Sequence, residues 1–216
     1  MILNNKFKTM KTEWLKRWDD RYRNEEYAFG TEPNIYFKQE LDLLNPGKIL
    51  LAAEGEGRNA VYAAERGWDV TAFDISEEGK NKALKLAKSN NVTIDYKVGE
   101  LPDLDFENES FDVIALIYAH FPAKIKSEYH KILDKLLKKG GVVIFEAFSK
   151  RHLEYRLENE KVGGPTDIES LFSIDELKND FKNYDFQVLK EEIIDLNEGL
   201  YHIGTGSVIR LTAIKK

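Results

Sequence analysis

The stretch Lys48-Ile49-Leu50-Leu51-Ala52-Ala53-Glu54-Gly55-Glu56-Gly57-Arg58-Asn59-Ala60 decides the fold. Lys48 to Ala53 is a short, mostly apolar run of strand length, the pattern of a buried strand. Gly55 and Gly57 then turn the chain where side-chain-free backbone lets a ligand approach. Asn59 to Arg66 reads as a helix closed by Gly67, and amides at such a helix start point toward a ligand. Next comes a β-rich strand, Asp69 to Phe73, which places Asp74 at a strand's carboxyl end, 19 residues after Gly55. A carboxylate there is positioned to accept hydrogen bonds from two ribose hydroxyls.

Outward from this unit the same alternation continues, and alternation of strand and helix predicts βαβ units with a parallel sheet. Ser76 caps a helix running to about Ser89, Thr93 to Val98 is a third strand, and Phe111 to Ile117 is a fourth, apolar enough to be central. Ile125, Tyr129, Ile132, Leu133, Leu136 and Leu137 recur at helical spacing until Gly140-Gly141, and Val142 to Phe148 is a fifth strand. Arg151 to Glu160 is a charged, solvated helix that Gly163-Gly164-Pro165 ends. Ser173 and Glu176 make a capping-box pattern before a short helix. Phe186 to Asp195 and Ser207 to Ile214 are two last strands; the gap between them is too short for a crossover helix, so they pair antiparallel. Ahead of the sheet, Trp14, Trp18 and Tyr22 form one stripe of a helix, followed by the turn-rich Phe29-Gly30-Thr31-Glu32-Pro33-Asn34. The 216 residues read as one domain: an N-terminal helical lid segment 1–45, a cofactor-binding core 46–148, and an acceptor-side insertion with terminal hairpin 149–216.

Composition narrows the function classes. Without cysteine there is no disulfide framework, thiolate metal site or cysteine nucleophile, and a cytoplasmic location is expected. The opening residues, with Asn4, Asn5, Lys6, Lys8 and Lys11, lack the apolar core of a secretory signal, and no apolar run approaches the ~20 residues of a membrane span. A formal charge of −6 disfavours a nucleic-acid partner. A monomer or homodimer is expected, with no metal.

The glycine loop by itself leaves two cofactors open, because Gly55-Glu56-Gly57-Arg58-Asn59-Ala60 also satisfies the dinucleotide fingerprint of NAD-dependent oxidoreductases. Three features outside it favour methyl transfer: no second substrate domain of the dehydrogenase kind, a terminal antiparallel hairpin, and an aromatic segment before the first strand. Several segments in order then carry a resemblance: Trp18-Asp19-Asp20-Arg21-Tyr22, Phe29 to Asn34, Ala53 to Asn59, Val70 to Ile75, Phe111-Asp112-Val113-Ile114, and Leu136 to Gly141. The chain resembles a class I S-adenosylmethionine-dependent methyltransferase, nearest the tellurite-resistance and thiopurine-methyltransferase-like branch.

That resemblance implies a Rossmann-like α/β three-layer sandwich, its seven-stranded, mostly parallel sheet closed by an inserted antiparallel final strand. It implies S-adenosylmethionine as cofactor and in-line methyl transfer to a small-molecule acceptor such as a thiol, oxyanion or metalloid species. A non-catalytic cofactor-binding or regulatory subunit and an RNA or protein methyltransferase remain alternatives. Carried over, the resemblance puts Gly55 and Gly57 beside the methionine part, Asp74 on the ribose, Ile75 on the adenine, Glu100 and Leu101 at the adenine edge, and Tyr118 near the methionine group. Ala53 and Asn59 belong to the same binding loop. The family's motif begins with an acid two residues before its first glycine, whereas Leu51 and Ala53 stand here, which leaves Glu54 or a main-chain carbonyl to hold the methionine amine.

For chemistry, His120 follows the fourth strand's carboxyl end and is a candidate base or a loop-satisfying histidine. Glu146 interrupts an apolar strand, where an acid needs partners; a site-facing role is preferred to an ion pair. Trp18, Tyr22, Phe29 and His202 are candidate lid or acceptor-side residues, with His202 weighed against a surface loop position.

Overall fold

The computed structural model describes residues 14–216. The lysine-rich opening segment read for targeting, and the first part of the 1–45 lid, lie outside the described residues. Residues 14–22 are helical (α1). There follow α2 (Ile35–Leu41), β1 (Lys48–Ala52), α3 (Arg58–Glu65), β2 (Asp69–Asp74), α4 (Glu77–Ser89), β3 (Asp95–Val98), β4 (Phe111–Ile117), α5 (Lys126–Leu136), β5 (Leu137–Phe148), α6 (His152–Glu158), α7 (Ile174–Asp180), β6 (Tyr184–Glu198) and β7 (His202–Lys215). The strands form one seven-stranded sheet in the order β3-β2-β1-β4-β5-β7-β6. The first five are parallel, and β7 inserts antiparallel between β5 and β6. This is the Rossmann-like fold expected, and the order reverses beside β1, where open sheets leave a crevice at the strands' carboxyl ends.

Successive residues of β1 face opposite layers, as the two-residue period of a strand demands. Leu50 and Ala52 pack with Tyr129, Leu133 and Leu136 of α5 and Leu177 of α7. Ile49 and Leu51 pack with Phe37 and Leu41 of α2 and with Ala60 and Ala63 of α3. Helices therefore cover both faces, so β1 after Lys48 and β4 after Asp112 read as unbroken apolar runs. Ser76 caps α4 by accepting from the Gly79 amide, and Ser173 with Glu176 forms the expected capping box on α7.

Three local expectations change. Helix α5 stops at Leu136, because Leu137 turns extended (φ −78°, ψ 133°) and already pairs with Phe111. The register then shifts so that Val113 faces Val142, and Gly140 (φ +76°) lies within the irregular stretch rather than ending a helix. The final strands are longer than their sequence patterns, meeting at a turn of residues 199–201. Gly204 and Gly206 weaken the strand pattern of β7, yet a Cβ on Gly206 would stand 3.0 Å from the His152 ring and one on Gly204 2.7 Å from Asn159. They are where α6 and the segment after it press onto the hairpin. For the same reason α6 is not wholly solvated: His152 is completely buried against Phe148, with ring centroids 3.7 Å apart.

Candidate active site

A cavity of about 590 Å³ opens at the carboxyl ends of β1, β2 and β4, roofed by α1 and closed by residues 164–170 and the start of β7. That volume lies inside the range of small-molecule sites. Ala53, Glu54, Asn59, Asp74, Ile75, Glu100, Leu101 and Tyr118 line it, as do Trp18, Tyr22, Phe29, His120 and His202.

The floor is the loop between β1 and α3. Asp74 accepts from the Gly55 amide at 3.0 Å and the Ser76 amide at 3.0 Å, which binds the end of β2 to the glycine loop. Burial pushes its carboxyl up to about 6 against those two amides. Glu54 accepts from the Asn59 and Ala60 amides at 2.9 and 2.8 Å, so its carboxylate satisfies the otherwise orphaned first amides of α3. Burial lifts Glu54 to about 7, against the Ala60 amide and the Arg58 charge. Gly55 and Gly57 have left-handed backbone (φ +61° and +86°), but against the expectation that they stand beside the methionine part neither lines the cavity. A Cβ on Gly57 would stand 2.5 Å from the Ala83 side chain, so this glycine serves the packing of α3 on α4. One on Gly55 would strike the Tyr22 hydroxyl at 2.6 Å, and the Gly55 carbonyl accepts from Tyr96. Leu51, where the family's acid is expected, is buried among α2 and α3 and points away from the cavity.

Two non-glycine residues at strand ends are held at positive φ, Ala53 (+52°) and Tyr118 (+51°), each costing about 1–2 kcal/mol. Both line the cavity. The Tyr118 hydroxyl is buried and makes no hydrogen bond among the described residues. Burial, then the Glu146 and Glu198 charges, raise the phenol well above its usual range.

The two candidate catalytic groups need correction. His120 lines the cavity, but its Nδ1 lies 3.0 Å from the Ser170 carbonyl and its Nε2 accepts from the Phe148 amide at 3.2 Å. That pattern fixes the neutral tautomer with Nδ1 donating, and burial lowers the ring to about 3, so neither nitrogen is free to take a proton near neutrality. Glu146 is not in the lining. It is 1% exposed and accepts from the Asn34 amide nitrogen at 2.6 Å and from Arg210 Nε at 2.6 Å, a buried structural ion pair.

His202 corrects in the opposite direction. It is buried rather than in a surface loop, with its ring 4.5 Å from Tyr118 and 4.6 Å from Phe29. Its Nδ1 lies 2.9 Å from Glu198 Oε2, and Arg58 bridges the same oxygen at 3.0 Å. Burial alone would raise Glu198, but Arg58 and His202 outweigh it and hold the carboxyl near 2. Burial lowers His202 although Glu198 opposes it. The pair is a histidine oriented by a carboxylate, with a firmly ionised partner.

Arg58, Glu198, Glu56 and Asn34 are absent from the sequence-based set. Asn34 caps α2 by accepting from the Phe37 amide, its side-chain nitrogen donates to Glu146 and Glu198, and its backbone N–H donates to Asn59 Oδ1. Glu56 accepts from the Ala28 amide and pairs with Lys82 at 2.6 Å. The Phe29-to-Asn34 segment signals this hub, but only contact across 112 and 164 residues shows its partners.

Residues 49–141 match the family model described as a methyltransferase domain. That match covers 93 of the chain's 216 residues. The curated 2-methyl-6-phytyl-1,4-hydroquinone methyltransferase of Synechocystis sp. is 30% identical over 115 residues, covering 51% of this chain and 35% of that protein. The chain thus spans about a third of the curated relative it matches. Among solved structures, one described as "Conversion of a Disulfide Bond into a Thioacetal Group during Echinomycin Biosynthesis" superposes with a TM-score of 0.75 at 18% identity, covering 94% of this chain and 92% of that one. Magnesium protoporphyrin IX methyltransferase from Synechocystis PCC 6803, determined with bound SAH, gives 0.63 at 15% identity over 83% and 81% of the two chains. The matched stretch ends before the hairpin that carries Glu198 and His202, so those two residues lie outside it.

Proposed function

We propose that the chain transfers a methyl group from S-adenosylmethionine to a small-molecule acceptor, in keeping with its resemblance to the tellurite-resistance and thiopurine-methyltransferase-like branch. The observation that carries this is one cavity with the Asp74 carboxylate on its floor and the Tyr118–His202 pair at its far side. The donor set suits the cofactor: Asp74 for ribose hydroxyls, Ile75 and Leu101 for the adenine faces, Glu100 for its edge. Glu54, Asn59 and the orphaned Tyr118 hydroxyl serve the methionine end. Bound there, S-adenosylmethionine supplies a methyl group on an already activated sulfonium. Residues 14–22 act as a lid that excludes water, with Trp18 and Tyr22 stacked at 5.5 Å. Where the acceptor carries a proton, His202 takes it while Glu198 holds the ring and stabilises the imidazolium.

The relative named for a hydroquinone supports an acceptor that presents a planar aromatic ring, which the aromatic wall of Phe29, Tyr118 and Phe148 suits. Incubation with methyl-labelled S-adenosylmethionine and a panel of thiols, phenols, amines and oxyanions is expected to label one class, with loss of labelling in Asp74→Ala. Tight cofactor binding with no transfer to any acceptor would favour a non-catalytic module instead.

A further inference from the structure

Arg17 and Arg21 of α1 line the cavity's mouth, and its other charged lining groups are Glu54, Glu56, Arg58, Asp74, Glu100, Lys124 and Asp167. The Arg21 guanidinium stands 4.2 Å from the Tyr201 ring, 5.1 Å from Trp18 and 5.9 Å from Phe29. Phe29 in turn packs on His202, so the arginine sits at the same end as the Tyr118–His202 pair. Stacking on aromatic faces fixes a guanidinium plane and leaves its N–H edge outward, the form in which arginine grips a planar oxyanion.

What is unusual is the company this arginine keeps. Burial first, then the like charges of Arg17 and Arg156, act to lower it, and the groups opposing them are the phenols of Tyr22 and Tyr201. Among the described residues no carboxylate forms an ion pair with Arg17, Arg21 or Arg156, although other arginines near the site, Arg58 and Arg210, each have one. The Arg156 Nε is moreover buried without a hydrogen-bond partner among the described residues. Arg21, half-buried beside the like charges of Arg17 and Arg156 and with no carboxylate paired to it among the described residues, is relieved by an anion.

We infer that the methyl acceptor is itself an anion, a small molecule whose carboxylate or phosphate group is held by Arg21 and Arg17 at the mouth while its nucleophilic atom points inward to Tyr118 and His202. This rests on the methyltransferase reading of the cavity. In the transfer, the acceptor's nucleophilic atom forms the new bond to the methyl carbon, the sulfonium–methyl bond breaks with its electron pair returning to sulfur, and any proton on that atom passes to His202. The oxyanion group takes no part in bond making; it orients the acceptor.

The test uses the full chain saturated with S-adenosylhomocysteine, in which the methionine carboxylate already has its place. Calorimetry compares 4-hydroxybenzoate and 4-hydroxyphenyl phosphate with neutral 4-hydroxybenzamide. At least one anion is expected to bind tenfold or more tightly than the amide, with the advantage shrinking as salt rises. The better anion identifies which oxyanion the mouth prefers. Arg21→Gln with Arg17→Gln should abolish the difference while leaving S-adenosylhomocysteine affinity within about threefold, and Arg21→Lys should keep part of it, which separates lost charge from a disturbed helix. Equal binding of acid and amide, no binding of either anion, or a preference that survives in the double variant would overturn the proposal. So would loss of S-adenosylhomocysteine affinity in that variant, since the arginines would then serve the methionine carboxylate. Failure of the unaltered protein to take up S-adenosylhomocysteine would count against the cofactor assignment alone, and the anion comparison would then be read on the free protein.

Discussion

The two ends of the cavity are built in different ways. The floor, proposed to hold the cofactor, is local: Ala53 to Asn59, Asp74 to Ser76 and Glu100–Leu101 each follow a parallel strand, and the first two close through backbone amides. The proposed acceptor end is assembled from afar, from α1, Phe29, Tyr118, residues 164–170 and the hairpin, and it is held by side chains that span most of the chain. An end made of side-chain networks depends on each member and leaves little periodic trace in sequence.

That contrast explains what was legible. The parallel strands, the Ser76 cap, the capping box and the inserted hairpin follow from periodicity and turn chemistry, which are local. Asp74 was legible for the same reason. Glu146 was not: an acid inside an apolar strand signals that partners exist, but whether they are ligand or protein depends on Asn34 and Arg210, which are 112 and 64 residues away. His120 and His202 lie differently from expectation because burial and hydrogen bonding decide which ring has a free nitrogen. Glu198 and Arg58 look like an ordinary hairpin acid and helix-start arginine until they meet at 3.0 Å.

The sharpest test of the contrast is Glu146→Gln. Removing one partner of a buried ion pair costs about 3–5 kcal/mol, so the melting temperature should fall by roughly 10 °C, while kcat/KM at a permissive temperature stays within a few-fold. A large loss of kcat with unchanged stability would return Glu146 to the chemistry. Asn34→Ala removes a helix cap and leaves buried acceptors without a donor, for a loss of about 2–4 kcal/mol read by denaturant unfolding. It should also loosen Glu198 and so lower acceptor-dependent turnover more than cofactor affinity; the reverse order would break the division between the two ends.

On the floor, Asp74→Ala should weaken cofactor binding by roughly 1–3 kcal/mol, a five- to 150-fold rise in Kd by calorimetry. Acidity probes the same groups. With Asp74 near 6 and Glu54 near 7 in the free protein, protons compete with the ligand's donors, so affinity should fall as pH drops through 7 and 6, approaching tenfold per unit below 6 from Asp74 alone. A flat profile between pH 5 and 8 would separate these carboxylates from binding. The smallest effect belongs to Ala53→Gly. Relief of the left-handed strain at φ +52° exceeds the added freedom of the unfolded chain by about 0.5 kcal/mol, giving a rise of one or two degrees in melting temperature with unchanged cofactor affinity.

Calorimetric titration of the full chain with S-adenosylmethionine and, separately, with NAD bears most directly on the cavity's assignment. The expected result is one S-adenosylmethionine per chain, bound in the micromolar range or tighter and weakened by Asp74→Ala, with no heat from NAD. NAD binding that Asp74→Ala weakens, without binding of S-adenosylmethionine, would contradict it.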